Sequence, residues 1–121
     1  MMFNRDSMAL NKGIKAQLLP LCSHVYLREA KEKKEFPYVV FDTRPIGEYR
    51  AVVELDLWGV RGSEFALQKL ADDIEEHLHG SVLSAPQYLA NPLSNNYQKW
   101  VPDENKDILH INMSFDCIYH N

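Results

Sequence analysis

Histidines, cysteines and carboxylates are the side chains that most often carry chemistry, and this 121-residue sequence groups them in a few places. His77-x-His79 has the look of a metal pair. On a helix, however, residues two apart point about 200° from one another, so the pair reads as solvated histidines near a helix C-terminus, where the dipole favours them. Cys22-x-His24 with Cys117 and His120 would make a four-ligand zinc set only if the two ends of the chain met in space. No pair among them has zinc-knuckle spacing, and Cys117 alternates with one face of a strand while His120 falls on the other. Asp72-Asp73 with Glu75-Glu76 reads as a wet helix face opposite Leu70 and Ile74. Glu54 and Asp56 are neighbours on the exposed side of a strand, where like charges face the cations of a partner strand or subunit. Acid–base work by paired carboxylates needs a pocket that raises one pKa, and nothing in the pattern supplies it. Gly59-x-x-Gly62 lacks the lysine and strand–turn–helix setting of a phosphate loop, and no G-x-S-x-G elbow or transferable Cys–His signature occurs. The expectation is a protein with no catalytic residues, no metal and no cofactor.

Composition narrows the class. The formal net charge is −4, with 13 Lys+Arg against 17 Asp+Glu; 45% of residues are hydrophobic and 25% charged. These values describe one ordinary globular domain, with neither disorder nor a collagen-like repeat. The acidic balance argues against non-specific nucleic-acid binding, which needs a basic face, and no sequence-specific nucleic-acid partner is expected. No run approaches the roughly 20 apolar residues of a membrane span, and no signal-peptide h-region stands at the N-terminus, so no membrane partner is expected. Cys22 and Cys117 read as reduced, small apolar residues of an intracellular protein.

The elements that position these groups follow from periodicity. Ser7 can cap a helix over 8–19, whose stripe is Leu10, Ile14 and Leu18, with Pro20 as the stop. A short strand over 24–28 precedes the charged run Arg28–Glu35, which reads as a solvated hairpin loop. Phe36–Phe41 predicts a strand over 36–42, and Arg44-Pro45-Ile46-Gly47 has the chemistry of a turn. Tyr49, Ala51, Val53, Leu55 and Leu57 alternate with Arg50, Glu54 and Asp56, predicting a half-buried strand over 49–58 that Gly59 and Gly62 then break. Ser63 is a plausible N-cap for a helix over 63–79 with the stripe Leu67, Leu70, Ala71, Ile74 and Leu78, and Gly80 sits where a left-handed C-cap is wanted. Ser81–Asp107 is weakly patterned: a short strand around Val82–Tyr88, then a long loop over 86–107. Ile108–Tyr119 alternates throughout and predicts a long final strand over 108–119. The fold class is therefore α+β, a single domain over 1–121 with a mainly antiparallel sheet of four to five strands and two helices packed on one face.

Some residues are not claimed by that core. Val52 and Trp58 share the wet side of their strand with Arg50, Glu54 and Asp56, and Tyr88, Tyr97 and Trp100 interrupt the weakly patterned segment. About half of these aromatics read as loop anchors packed on the core and the rest as subunit contacts, where Trp, Tyr and Arg are enriched. Arg50, Val52, Glu54, Asp56, Trp58, Tyr88, Tyr97 and Trp100 are accordingly the candidate interface residues.

The block Phe36-Pro37-Tyr38-Val39-Val40-Phe41, the strand Ala51-Val52-Val53-Glu54-Leu55-Asp56-Leu57-Trp58-Gly59, the helix Glu64–His79 and the alternating ending Ile108–Tyr119 together resemble the small tail-completion or tail-terminator proteins of long-tailed bacteriophages and prophages. The resemblance spans roughly residues 8–121 and lies in the order and spacing of elements. It implies a structural virion protein without catalysis, acting in the tail and, during assembly, in the host cytoplasm. It further implies a hexameric ring that caps the tail tube, ends its polymerisation and offers the surface that joins the head. The implied partners are the chain itself, the tail-tube protein and a head-closure or connector protein. A ring of identical subunits needs two different complementary patches on each copy. The sheet face with Val52, Glu54, Asp56 and Trp58 is one candidate, and the segment from Pro86 to Trp100 is a candidate tail-tube, head-side or lumen contact. Two other readings stand beside this one: a head-closure adaptor, and a small dimeric ligand-binding domain with a cavity between sheet and helices lined by His24, Tyr38 or His110.

Overall fold

In a computed structural model, which describes residues 2–29, 35–47, 50–79, 84–85, 88–90 and 94–120, the chain forms two helices and seven strands. These are α1 (Met2–Leu18), β1 (Val25–Leu27), β2 (Tyr38–Gly47), β3 (Arg50–Val60), α2 (Glu64–Leu78), β4 (Ser84–Ala85), β5 (Tyr88–Ala90), β6 (Ser94–Trp100) and β7 (Ile108–His120). The main sheet runs β1-β2-β3-β7-β6, and the β4–β5 pair adds to the far end of β7 at Tyr119 and His120. All pairings are antiparallel except β1 with β2. The fold is the expected α+β arrangement.

The two longest strands form the centre. β3 pairs with β7 from Arg50 opposite Ile118 to Val60 opposite Ile108, and with β2 from Tyr38 opposite Trp58 onward. Their period-2 alternation sorts every residue to one of two faces. Val39, Phe41, Ala51, Val53, Leu55, Leu57, Ile111, Met113, Phe115 and Cys117 point to the helix side and are buried. Leu10, Ile14 and Leu18 of α1 and Leu67, Leu70, Ala71, Ile74 and Leu78 of α2 complete that one core. The other face carries no helix among the described residues.

Several local expectations are corrected. Backbone helix begins at Met2, so Ser7 lies inside α1 and is not its cap: no Pro or Gly interrupts residues 2–12. Because β1 and β2 are parallel, the Arg28–Glu35 run cannot be a hairpin loop, although residues 30–34 lie outside the described residues. Arg44–Gly47 continues β2, with a register shift between Pro45 and Gly47. Pro45 is tolerated because its ring nitrogen faces away from β3, so no ladder donor is lost. Gly59 does not break the chain but sits in β3, where a Cβ would come within 3.3 Å of the Leu67 side chain; absence of a side chain lets α2 approach. The break comes at Gly62, whose φ of +98° suits glycine. Ser63 holds the N-cap position of α2 without a side-chain cap bond; instead Glu64 Oε1 accepts from the Gly62 backbone N–H at 3.0 Å. Gly80 lies outside the described residues, as do residues 82, 83, 86 and 87 of the expected short strand. The segment expected as a loop over 86–107 instead contains β5 and the seven-residue β6.

Candidate assembly surface

The bare face of the sheet is built row by row from the strand register. Tyr38, Trp58 and His110 form the first row; Val40, Asp56, Asn112 and Lys99 the second; Asp42, Glu54, Ser114 and Tyr97 the third; Arg44, Val52 and Asp116 the fourth. Arg50 stands at the end of β3 beyond them. The sequence therefore places five of its candidates, Arg50, Val52, Glu54, Asp56 and Trp58, on one continuous surface, with Tyr97 beside them.

The first row is an aromatic ladder. The Trp58 ring stacks on the His110 imidazole at 3.9 Å between centroids and 11° between planes, and lies 6.2 Å from Tyr38 on its other side. Tyr26 of β1 meets Tyr38 edge-on at 6.3 Å, and Phe36 tilts against it at 5.3 Å. Tyr38 is thereby only 6% exposed although it faces away from the helices. Its burial, with the charges of Asp103 and Tyr26 adding to it, pushes the phenol above its ordinary pKa of 10.0. His110 is held in plane by Asp56, whose Oδ1 lies 2.6 Å from His110 Nε2 and also accepts from Asn112 Nδ2 at 2.9 Å.

The remaining rows are polar and nearly self-neutralising. Arg44 approaches Glu54 at 3.9 Å, Arg50 approaches Asp116 at 3.7 Å, and Arg28 donates to Asp42 at 3.2 Å. All of these pairs are largely solvated and each contributes little to stability, about 0–1 kcal/mol. Asn96 Nδ2 donates to Asp116 Oδ1 at 2.9 Å and to Ser114 Oγ at 3.3 Å, which ties β6 to β7.

Trp100 does not belong to this face. Its register position opposite Ile111 turns it to the helix side, where Nε1 donates to Gln68 Oε1 of α2 at 2.9 Å, and the ring stays 45% exposed. Tyr97 is on the bare face, 37% exposed, with Lys99 Nζ 4.9 Å from its ring centroid. Tyr88 lies in β5 opposite Ala85, and its side chain is outside the described residues.

The other groups singled out by type are engaged structurally. His77 Nε2 meets Gln17 Oε1 of α1 at 2.8 Å, joining the two helices. Asp73 pairs with Lys69 at 2.7 Å, and Asp72 accepts from Gln68 and Gln98. Cys22 and Cys117 are both buried and free, and burial drives the Cys117 thiol from its ordinary 9.0 up to about 11. His120 falls outside the described side chains. No cluster of three or more potential metal ligands occurs among the described residues. The ligand-binding reading expected a cavity between sheet and helices lined by polar groups such as His24, Tyr38 or His110. His24 lines a groove of about 390 Å³ beside α2, with Leu21, Pro37, Ala66 and Lys69, and Tyr38 and His110 lie apart from it, across the sheet on the bare face.

One feature escaped the sequence reading. Phe65, in the first turn of α2, is 93% exposed and points away from the sheet. The signal was available, because Phe65 falls outside the Leu67–Leu70–Ile74 stripe.

Comparison with known proteins places the fold. The chain superposes with a TM-score of 0.74 and 16% identity on a chain of the virion of a native gene transfer agent particle, covering 93% of this chain and 95% of that one. A second solved structure superposes with a TM-score of 0.69 and 13% identity over 94% and 92% of the two chains. Both show a shared fold. No family model and no curated protein matches the sequence. No helix among the described residues is long and apolar enough to cross a membrane.

Proposed function

We propose that this chain is a structural virion protein of a phage-like particle, acting not as an enzyme but as a subunit of a ring that caps the tail tube, ends its polymerisation and presents the surface for joining the head. The observation that carries this reading is the end-to-end likeness to the virion chain of a gene transfer agent: 93% and 95% of the two chains align, so the shared unit is the whole subunit. The bare sheet face supports it. A face of nearly balanced charge with isolated Val and aromatic groups suits contact with a second protein surface, whose opposite charges complete pairs that are long at 3.7 and 3.9 Å in the isolated chain. The partners are then further copies of the chain, the tail-tube protein and a head-closure or connector protein; the site of action is the virion tail, reached through assembly in the host cytoplasm.

The reading is tested by adding the purified protein to tail-tube subunits during polymerisation. Tubes are expected to become shorter and uniform, each with added density at one end. Unchanged tube lengths with no bound protein contradict it, and binding to isolated head connectors instead assigns the chain to head closure.

A further inference from the structure

The two edges of the main sheet fit each other. We propose that neighbouring copies of this chain join edge to edge, β6 of one copy pairing antiparallel with β1 of the next, with Trp100 opposite Val25, Lys99 opposite Tyr26 and Gln98 opposite Leu27. The inference rests on the reading of the chain as a ring-forming subunit and specifies the contact that closes the ring.

Backbone parity decides which groups of each edge face outward. The Val101 N–H donates to the His110 carbonyl at 2.9 Å, so in the β6–β7 ladder residues 97, 99 and 101 turn their peptide groups toward β7. Alternation then turns the peptide groups of Gln98 and Trp100 outward, where no described residue meets them. On the opposite edge, the Val39 N–H donates to the His24 carbonyl and the Arg28 N–H to the Phe41 carbonyl, both at 2.8 Å. Residues 24, 26 and 28 therefore face β2, and Val25 and Leu27 face outward. Each edge thus offers two outward residues, two positions apart.

Direction and sidedness agree with this pairing. β1 runs parallel to β2, and three successive antiparallel steps through β3 and β7 make β6 run opposite to β1. Placing copies side by side therefore brings β6 against β1 in the antiparallel sense. Only one register matches both outward pairs, and in it the faces also match. Val25 on the helix side meets Trp100 on the helix side, and Tyr26 on the bare face meets Lys99 on the bare face. The partly exposed Leu27 (37%) and Trp100 (45%) become diagonal neighbours. Because the Leu27 carbonyl already accepts from Glu29 N–H at 2.9 Å, the register supplies three backbone bonds: two between Trp100 and Val25, and one from Leu27 to the Gln98 carbonyl.

The rest of that edge offers an added strand no free N–H among the described residues. Beyond β1 the outward groups of β2 belong to Thr43 and Pro45. The Thr43 N–H is taken by Asp42 Oδ1 at 2.9 Å, and Pro45 has no N–H. The contact is therefore confined to β1, and it joins two different surfaces, as a closing ring requires.

The test is a disulfide across the non-hydrogen-bonded pair Lys99–Tyr26, whose Cα separation in an antiparallel ladder is about 4.5 Å, within disulfide range. The Tyr26→Cys/Lys99→Cys double variant, oxidised with copper phenanthroline, is expected to give a non-reducing ladder from dimer to hexamer, and each single variant none. In the same background, Trp100→Pro removes an outward donor without touching the β6–β7 ladder. It is expected to abolish the ladder while melting like Trp100→Phe, which keeps the donor. Six-fold rings without the disulfide ladder overturn the edge contact and leave the ring standing. A ladder from open chains that never close keeps the edge contact and overturns the ring. A monomer without crosslinks contradicts both.

Discussion

Trp58 packs two rings from neighbouring strands, Tyr38 on β2 and His110 on β7, on the face of the sheet that carries no helix among the described residues. Trp58 therefore contributes to stability whether or not it meets a partner, and a Trp58 variant that loses assembly would not by itself identify an interface. Trp58→Ala is expected to destabilise the fold by about 2 kcal/mol, less than a fully buried tryptophan, and Trp58→Phe by less than half of that, read from urea midpoints. Arg50 and Glu54 touch none of this cluster, so Arg50→Ala and Glu54→Ala separate contact from folding. The buried cysteine gives a second residue-scale expectation. The folded state raises the Cys117 pKa from 9.0 to about 11, so it favours the neutral thiol more than the unfolded chain does. The stability from that difference is complete below pH 9 and is lost as pH rises toward 11; the raised phenol of Tyr38 acts in the same direction. Urea midpoints at pH 8 and pH 10.5 should fall between the two, and Cys117→Ala should reduce the fall. A midpoint that rises with pH over this interval would contradict the placement of both groups.

At the scale of elements, legibility tracked alternation. β3 and β7 bury one side each, so Val53–Leu55–Leu57 and Ile111–Met113–Phe115 carried a period-2 signal, and the stripe of α2 carried a 3.6 period. The bare face followed from the same pattern, which is why Val52, Glu54, Asp56 and Trp58 were legible as one surface. β6 was not legible because both of its sides are wet: Tyr97 and Lys99 face the bare side, and Gln98 and Trp100 face a helix flank. Its order comes from pairing with β7 and from polar side-chain bonds, neither of which leaves a hydrophobic period. β2 was cut short in the sequence reading because Pro45 signals a turn wherever its missing donor matters, and at an outward edge position it does not. Gln68 is the residue that holds β6 to α2, bonding Gln98 Oε1 at 2.8 Å and the Trp100 indole at 2.9 Å. Gln68→Ala should cost about 1 kcal/mol and raise amide exchange in β6 more than in β3, measured by hydrogen–deuterium exchange. Equal protection of β6 in the variant would show that pairing with β7 alone suffices.

The described residues form a sheet with one face covered by helices, the other bare, and two unlike edges. That asymmetry suits the proposed ring subunit, since a head-to-tail contact needs two different surfaces. The chain shares its fold from end to end with a chain of a gene transfer agent virion. Ring formation is read directly from native mass by light scattering over a concentration series, with negative-stain imaging of the largest species. A ring-forming subunit is expected to give a mass near six chains and six-fold rings with a central opening. A concentration-independent dimer, or a monomer at every concentration, would contradict it.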